Sequence, residues 1–471
     1  MENLLTGWSM SPTNNTLGPD CGPGPDRKFA GTAVLRSLLL TLIFLPSVTR
    51  VARAQELPAD LPQAPPPARS IDDLNLTEGD ASMPTFEDSM IDVRSAWRQK
   101  LFQKGVSMRV VTQAFYSQNA LSAPVAPNAQ TYIGQRAYES WITQPIFVAD
   151  LRQLHLRRAQ LYMGGVWNWV TWNPAGPKTI QLWDLYFYKS LARNRVQLKT
   201  GYISMNLEFV GLFVGGSSAN GGQGVYAVLP YEVGMSYFPL TAPAVLVRLQ
   251  GPHNWYLKSA AQRSLDPNGG PTEVARNATG FRFDPHGDKL LSLNEAGYLR
   301  DASANGRERW LRMGYFWNAT RYTNVATGAQ QSGNYCTYIL LDGQITQPSR
   351  SEASDHGFYA GASFMAVPGA LNDYSRYEEF RMYEKAPFRS RPADLVTFVA
   401  SHTSYSRLAT NSLVAQGKSV WRGGSTFTGG YALHAGAGNY IGAGLSYLYG
   451  PAITPHVPNA LTFTVSLTNY F

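Results

Sequence analysis

From Gly105 to the final Phe471 the chain alternates apolar and polar residues with a period of two, and this pattern limits what it can fold into more than any other feature. In the last segment Leu461, Phe463, Val465, Leu467, Asn469 and Phe471 share one parity. Thr462, Thr464, Ser466, Thr468 and Tyr470 share the other. The first segment behaves alike: Val106, Met108, Val110 and Ala114 alternate with Ser107, Arg109 and Gln113. Side chains on a strand point alternately to its two faces, so each segment carries one apolar and one polar surface. Sixteen such segments are expected. The first eight are 105–118, 138–151, 155–169, 180–191, 195–205, 244–250, 255–265 and 289–300. The last eight are 309–324, 334–347, 356–367, 375–386, 394–407, 421–436, 439–450 and 459–471. The expected fold is all-β: a transmembrane antiparallel up-and-down β-barrel of about 16 strands, preceded by a short N-terminal helix.

Composition closes off other classes. Charged residues are 15% and aromatics 12%, so the chain is not intrinsically disordered. No apolar run approaches the ~20 residues of a membrane-spanning helix. Arg27 and Lys28 precede the apolar run Leu38–Leu45, Pro46 breaks it, and Ala52-Arg53-Ala54 forms a small-x-small cleavage site. This pattern predicts a secretory signal peptide and leader over 1–54, with Gln55 as the first mature residue. The long stretch before the run leaves a start downstream of Met1 open. The mature chain then has 35 basic and 29 acidic residues, a net charge of +6. That is too mild and too dispersed for a nucleic-acid binder. Cys21 falls in the leader and Cys336 stands alone, so no intrachain disulfide is expected. No CxxC or HExxH spacing calls for a metal, and nothing calls for a cofactor.

Residues 55–83 read as a Pro-rich linker, with Pro58, Pro62 and Pro65–Pro67 stiffening it. Residues 84–104 carry Ile91, Val93, Trp97, Leu101 and Phe102 among charges, the spacing of a short amphipathic helix. It would either cap or plug the periplasmic mouth or pack on its rim. The barrel follows over 105–471. Its joints mostly alternate short and long, as periplasmic turns and external loops do, and an even strand number puts both termini in the periplasm. The joints 301–308 and 348–355 are longer than a periplasmic turn needs. The third external loop, 206–243, is flexible at Gly215, Gly216, Gly221, Gly222 and Gly224, and apolar at Leu207, Phe209, Val210, Leu212 and Phe213. Folding inward would bury that apolar stretch and narrow the pore; an exposed loop or a trimer latch is the alternative.

A set of ordered fragments adds a family resemblance. They are Leu182-Trp183-Asp184-Leu185-Tyr186, Val196-Gln197-Leu198-Lys199-Thr200-Gly201-Tyr202, Tyr237-Phe238-Pro239-Leu240 and Ala242-Pro243-Ala244-Val245. Glu295-Ala296-Gly297-Tyr298, Leu311-Arg312-Met313-Gly314-Tyr315-Phe316-Trp317-Asn318, Asp342-Gly343-Gln344 and Gly357-Phe358-Tyr359-Ala360-Gly361 continue the order. In these fragments the chain resembles the OprB-type carbohydrate-selective porins. The resemblance implies a sixteen-stranded bacterial outer-membrane channel for the passive, selective diffusion of carbohydrates into the periplasm. The C-terminal Phe471 also resembles the signal read by barrel-insertion machinery. Expected partners are therefore sugars, outer-membrane lipid and that machinery, with a homotrimer or a monomer both open. The hairpin 421–450 departs from the family by being rich in Gly and Ala, which bears on substrate range more than on fold.

Pore-lining residues follow from parity if the face rich in Leu, Met and Trp meets lipid. Leu161, Met163, Trp167 and Trp169 then go outward and Arg158, Gln160 and Tyr162 inward. Trp183, Leu185 and Phe187 go outward, Asp184 and Tyr186 inward. Gln197, Lys199, Arg248, Arg312, Asp342, Gln344, Glu379 and Arg381 also face inward. A cation on the lipid face at mid-membrane would cost about 2–4 kcal/mol. Glu295 shares parity with Leu291 and Leu293 and is included on resemblance alone. Hydroxyls both donate and accept, so Arg donors and carboxylate acceptors at a narrowing can replace a sugar's water, and aromatic faces can stack on its ring. Arg312, Arg381 and Glu379 are expected to face loop 206–243 across a slot.

Two other readings compete. An anion-selective or general-diffusion porin would use the inward basic residues, against which Asp184, Asp342 and Glu379 argue. An outer-membrane phospholipase could use His402 as base and Ser404 as nucleophile on the outer face, although no third member is identifiable. The expected role is a channel, not an enzyme.

Overall fold

The structure is a computed structural model. It describes residues 71–74 and 83–471, apart from 122–124, 174–177, 211, 214–223, 226–227, 286–287, 348–353 and 455–456. The expected leader 1–54, most of the linker 55–83, and Gly215, Gly216, Gly221 and Gly222 lie outside the described residues.

Sixteen antiparallel strands close into one barrel. They are β1 (Val106–Asn119), β2 (Tyr138–Asp150), β3 (Ala159–Val170), β4 (Thr179–Leu191), β5 (Val196–Ile203), β6 (Ala242–Gln250), β7 (Trp255–Arg263) and β8 (Leu290–Arg300). Then come β9 (Arg309–Asn318), β10 (Asn334–Gln344), β11 (Gly357–Ala366), β12 (Tyr374–Lys385), β13 (Leu395–Tyr405), β14 (Gly423–Gly436), β15 (Asn439–Tyr449) and β16 (Ala460–Tyr470). Each pairs with its sequence neighbour, and β16 returns to β1 in the register Val111↔Tyr470 to Asn119↔Thr462. Phe471 completes the seam by exchanging backbone hydrogen bonds with Val110. Closure leaves no unpaired edge, which a bilayer requires. Phe463 and Leu467 are exposed on the outer face, while Thr462, Thr464 and Thr468 are buried inside.

Three local departures from simple alternation have visible causes. β3 begins at Ala159 because Leu151–Leu154 forms a 3-10 turn, capped by the Asp150 carboxylate accepting from the Arg152 N–H. In β4 a register shift leaves Trp183 as an extra residue opposite Gly164 and Gly165. A bulge reverses the facing of the residues beyond it, and Trp183 is buried, edge-on to Tyr162 and Phe238, not lipid-facing as parity suggested. In β8 the leucine face turns inward: Leu291 and Leu293 are fully buried in the barrel's apolar cluster with Phe209 and Leu229. The rule that leucine meets lipid fails here because the third external loop supplies an apolar partner inside. The joint 301–308 closes through a small Ser303–Gly306 ladder, and 386–394 through Phe388–Arg391.

The N-terminal helix is shorter than expected: α1 covers Ala96–Gln103, with Lys100 in its last turn. Side chains take over the backbone ahead of it. Ser89 Oγ bonds Phe86 O, and Asp92 accepts from the Arg94 N–H, so residues 86–94 form turns instead of helix. The segment lies against the lumen side of the terminus-bearing end. Leu74 O accepts from inward Gln160, and the Phe86 ring lies 4.2 Å beneath the inward Arg109 guanidinium. Asp88 fastens it by accepting from the Gly438 N–H at 2.8 Å, His434 at 2.9 Å and the Tyr440 hydroxyl.

This clasp has a pH signature. Burial alone would raise the Asp88 pKa, but hydrogen bonds from Tyr440, Gly438 and His434 outweigh it and hold the carboxyl below its ordinary value. A carboxyl held low stabilises docking at every pH above the ordinary aspartate range, near ~4, and that contribution is lost as the pH falls below it. Asp88→Asn is expected to remove about 1–3 kcal/mol of docking. Single-channel conductance should rise below about pH 4 in the native chain and be raised at all pH values in D88N. Equal conductance in both proteins across the range would exclude a narrowing role for the segment.

Candidate functional site

The described limbs of the third external loop, 204–210 and 228–241, fold into the barrel, with Phe209, Val210 and Leu229 buried in its apolar cluster. Its first turn, Met205–Leu207, is held by Asn206 N–H donating to Ser236 O and Met205 N–H to Ser236 Oγ, both at 3.0 Å. Asp184 on β4 accepts from the Ser204 N–H at 2.7 Å. The carbonyls after the turn have no helical partner. Inward cations supply it: Lys258 on β7 donates to Glu208 O, and Arg312 on β9 donates to Phe209 O at 2.8 Å. Lys199 on β5 closes the clamp on the Glu208 carboxylate. Lys199 and Arg312 therefore face inward as expected, but they grip the loop and leave no slot at Phe209.

The returning limb contains the helical turn α2 (Leu229–Glu232), all but its last residue buried among apolar side chains. Asn318 on β9 donates to Val233 O at 2.5 Å. Gly234 follows at φ +90°, and a Cβ there would come 2.2 Å from Ser264 Oγ and 2.7 Å from Asn318 Nδ2. Only glycine allows this approach. Burial, with Asp373 adding to it, pushes the Glu232 carboxyl well above its ordinary range, although the Tyr374 and Asp373 N–H groups oppose the shift.

A second cluster forms on β10–β12. Arg381 donates from Nε to Asp342 Oδ1 at 2.9 Å and from Nη2 to Asp342 Oδ2 and to Leu341 O at 3.1 Å. Its Nη1 donates to Glu379 Oε1 at 2.9 Å and Ser363 Oγ at 2.8 Å. A guanidinium has five N–H donors, and all five are engaged. Tyr377 donates to the other Glu379 oxygen at 2.5 Å. Gly361 makes room, since a Cβ there would lie 2.5 Å from Asp342 Oδ1 and 2.7 Å from Arg381 Nε. Arg381 thus organises the cluster. Acceptor capacity toward a hydroxylated solute lies in the remaining lone pairs of Asp342 and Glu379.

The other expected residues divide. Tyr162 stacks on Tyr186 at 4.8 Å, and Lys199 lies 5.1 Å over the Tyr186 ring. Arg248 lies 4.4 Å over Tyr256. Glu295 is inward, accepting from Tyr256 at 2.9 Å and Tyr338 at 2.6 Å, with Lys258 at 3.5 Å. Gln344 is inward but tied to the terminus-bearing end through Ser354 O and His356 O, each at 2.8 Å. Arg158 is not a pore residue. It is exposed in the β2–β3 turn at φ 53° and donates to Asn194 at 2.9 Å, because β3 starts one residue later. The sequence reading did not single out Lys258, Tyr256, Tyr338, Ser363 or Tyr377. Outward Trp255 and Leu257 were the signal for Tyr256 and Lys258, whose parity is the opposite. On the outer face His402 Nδ1 meets Ser425 Oγ at 2.9 Å, a residue on the next strand and not Ser404.

Comparisons with known proteins agree with this architecture. The family model for "Carbohydrate-selective porin, OprB family" matches residues 110–471. The high-pH structure of Pseudomonas putida OprB is similar at a TM-score of 0.69 and 14% identity, covering 82% of this chain and 100% of that one. Its low-pH structure is similar at a TM-score of 0.53 and 13% identity, covering 82% and 98%. No curated protein matches the chain in sequence. The family match spans most of the chain and the closed sixteen-stranded barrel accords with it, so this chain belongs to the OprB family of carbohydrate-selective porins and forms a carbohydrate channel of the bacterial outer membrane.

Proposed function

We propose that neutral sugars pass between the inward loop and the β10–β12 wall, exchanging water for Asp342, Glu379 and the tyrosine hydroxyls around them. The observation that carries this reading is charge pairing inside the barrel. Lys199 meets Glu208 at 2.5 Å, Lys258 meets Glu295 at 3.5 Å, and Arg381 meets Asp342 and Glu379. Where cations are paired with carboxylates in this way, the wall gives an anion little net attraction, yet it is dense in hydrogen-bonding groups. A polyhydroxylated neutral solute fits that chemistry, and weak, exchangeable bonds let it leave. Tyr162, Tyr186 and Arg248 would supply ring-stacking and donor groups along the path. One chain encloses one channel, so trimer assembly is not required for transport. Lipid surrounds the outer face, and the insertion machinery engages the strand ending in Phe471.

A planar-bilayer titration tests the reading. A panel of neutral mono- and disaccharides should reduce ion current in a concentration-dependent way, and the reversal potential in a salt gradient should stay close to zero. Strong anion selectivity without any sugar block would favour the anion-porin reading.

A further inference from the structure

One sector of the terminus-bearing rim carries charge that nothing in the channel uses. The β2–β3 turn contains Arg152, Arg157 and Arg158, and the β4–β5 turn Arg193 and Arg195, with Lys189 just above it. Asp150 is the only acid over 150–158 and 189–195, and Arg152 occupies it. The turns are built as one surface. Arg158 donates to Asn194 at 2.9 Å, Lys189 donates to Arg157 O, and Ser190 N–H donates to Arg158 O at 3.0 Å. Gln250 N–H donates to Arg195 O at 2.8 Å and joins the β6–β7 turn to the same rim. Arg157, Arg193 and Arg195 are exposed and meet no carboxylate among the described residues. On another sector of this rim Arg391 meets Asp394 at 2.6 Å.

The apolar residues of the sector identify the partner. Leu154 is 67% exposed and Leu156 41%, interleaved with the arginines, and Leu191 and Trp255 are exposed directly above. A soluble acidic partner needs the charge but not the protruding leucines. A lipid leaflet needs both: leucines enter the acyl boundary, tryptophan sits at the interface, and guanidinium groups pair with phosphate. We propose that the turns 151–158 and 192–195 form a binding site for the head groups of anionic phospholipid in the periplasmic leaflet. This rests on the outer-membrane location, not on the sugar pathway.

Native mass spectrometry of the full chain in detergent, titrated with phosphatidylglycerol or phosphatidylethanolamine, tests the proposal. The native chain should retain phosphatidylglycerol preferentially. R157Q/R193Q/R195Q, which spares Arg152 and Arg158, should lose about tenfold of that preference while keeping the heat-modifiable migration of a closed barrel. R321Q/R376Q/R407Q, at the opposite end, should leave it unchanged. No preference in the native chain, or equal loss in both triple variants, overturns the site. Displacement of the lipid by inorganic phosphate alone would also overturn it, by assigning the surface to a free anion. If the first triple variant fails to close, each single variant is expected to give a graded loss, and three unchanged singles would refute the proposal.

Discussion

Arg381→Ala is expected to be the most damaging single substitution in the pore. The change strands Asp342 and Glu379 as neighbouring carboxylates without their shared cation. Removing one partner from a buried ion pair costs about 3–5 kcal/mol, mostly because the remaining charge is uncompensated. Three readouts should move together. The temperature at which the closed barrel gives way on gels should fall, and the reversal potential should shift toward cation selectivity. Sugar block of ion current should weaken as the two carboxylates lose their fixed geometry. Arg381→Lys separates charge from shape, because lysine keeps the positive charge but cannot donate in a planar fork. It should retain near-native ion selectivity and lose part of the sugar block. Native sugar block in R381A would remove the β10–β12 cluster from the pathway while leaving the channel assignment intact.

The second large effect is expected from Lys258→Ala combined with Arg312→Ala. Each side chain donates to a carbonyl of the same loop turn, at Glu208 and Phe209. A charged donor to a buried carbonyl contributes about 1.5–3 kcal/mol. The two share one turn, so their losses should not simply add. Losing both should release the first limb of the inward loop, raise single-channel conductance and flatten discrimination among sugars. Limited proteolysis within 204–241 should accelerate while the barrel stays closed. A double variant with native conductance and native protease resistance would show that apolar packing alone holds the loop.

Much of the architecture was legible because a barrel writes itself into sequence locally. Side-chain parity and the need to pair every backbone group both act over a few residues, so all sixteen segments are legible, although β9 ends at Asn318 and not at 324, because Tyr322 and Thr323 pair with Gln331 and Gln330 in a separate hairpin. Legibility failed wherever distant residues met. Trp183 turned inward because of a one-residue register shift against β3, which alternation cannot reveal. The β8 leucines turned inward because a loop some 80 residues upstream lies against them. Residues 86–94 form turns because Ser89 and Asp92 bond the local backbone while the β14–β15 hairpin holds Asp88.

The site shows the same division. Alternation was enough to send Asp184, Lys199, Arg248, Arg312, Asp342, Gln344, Glu379 and Arg381 to the polar side of the wall, since a charge facing lipid is costly. Only the tertiary structure decided what each does there. Lys199 and Arg312 grip the loop, Gln344 ties a turn, Arg381 spends every donor on its neighbours, and Arg158 leaves the wall altogether. The sequence by itself determined a closed, alternating outer-membrane barrel, because period and closure are properties of the local chain in a bilayer. The tertiary structure determined which inward groups bond each other and which keep free valence, because hydrogen-bond partners are set by closeness in space across strands and not by spacing along the chain.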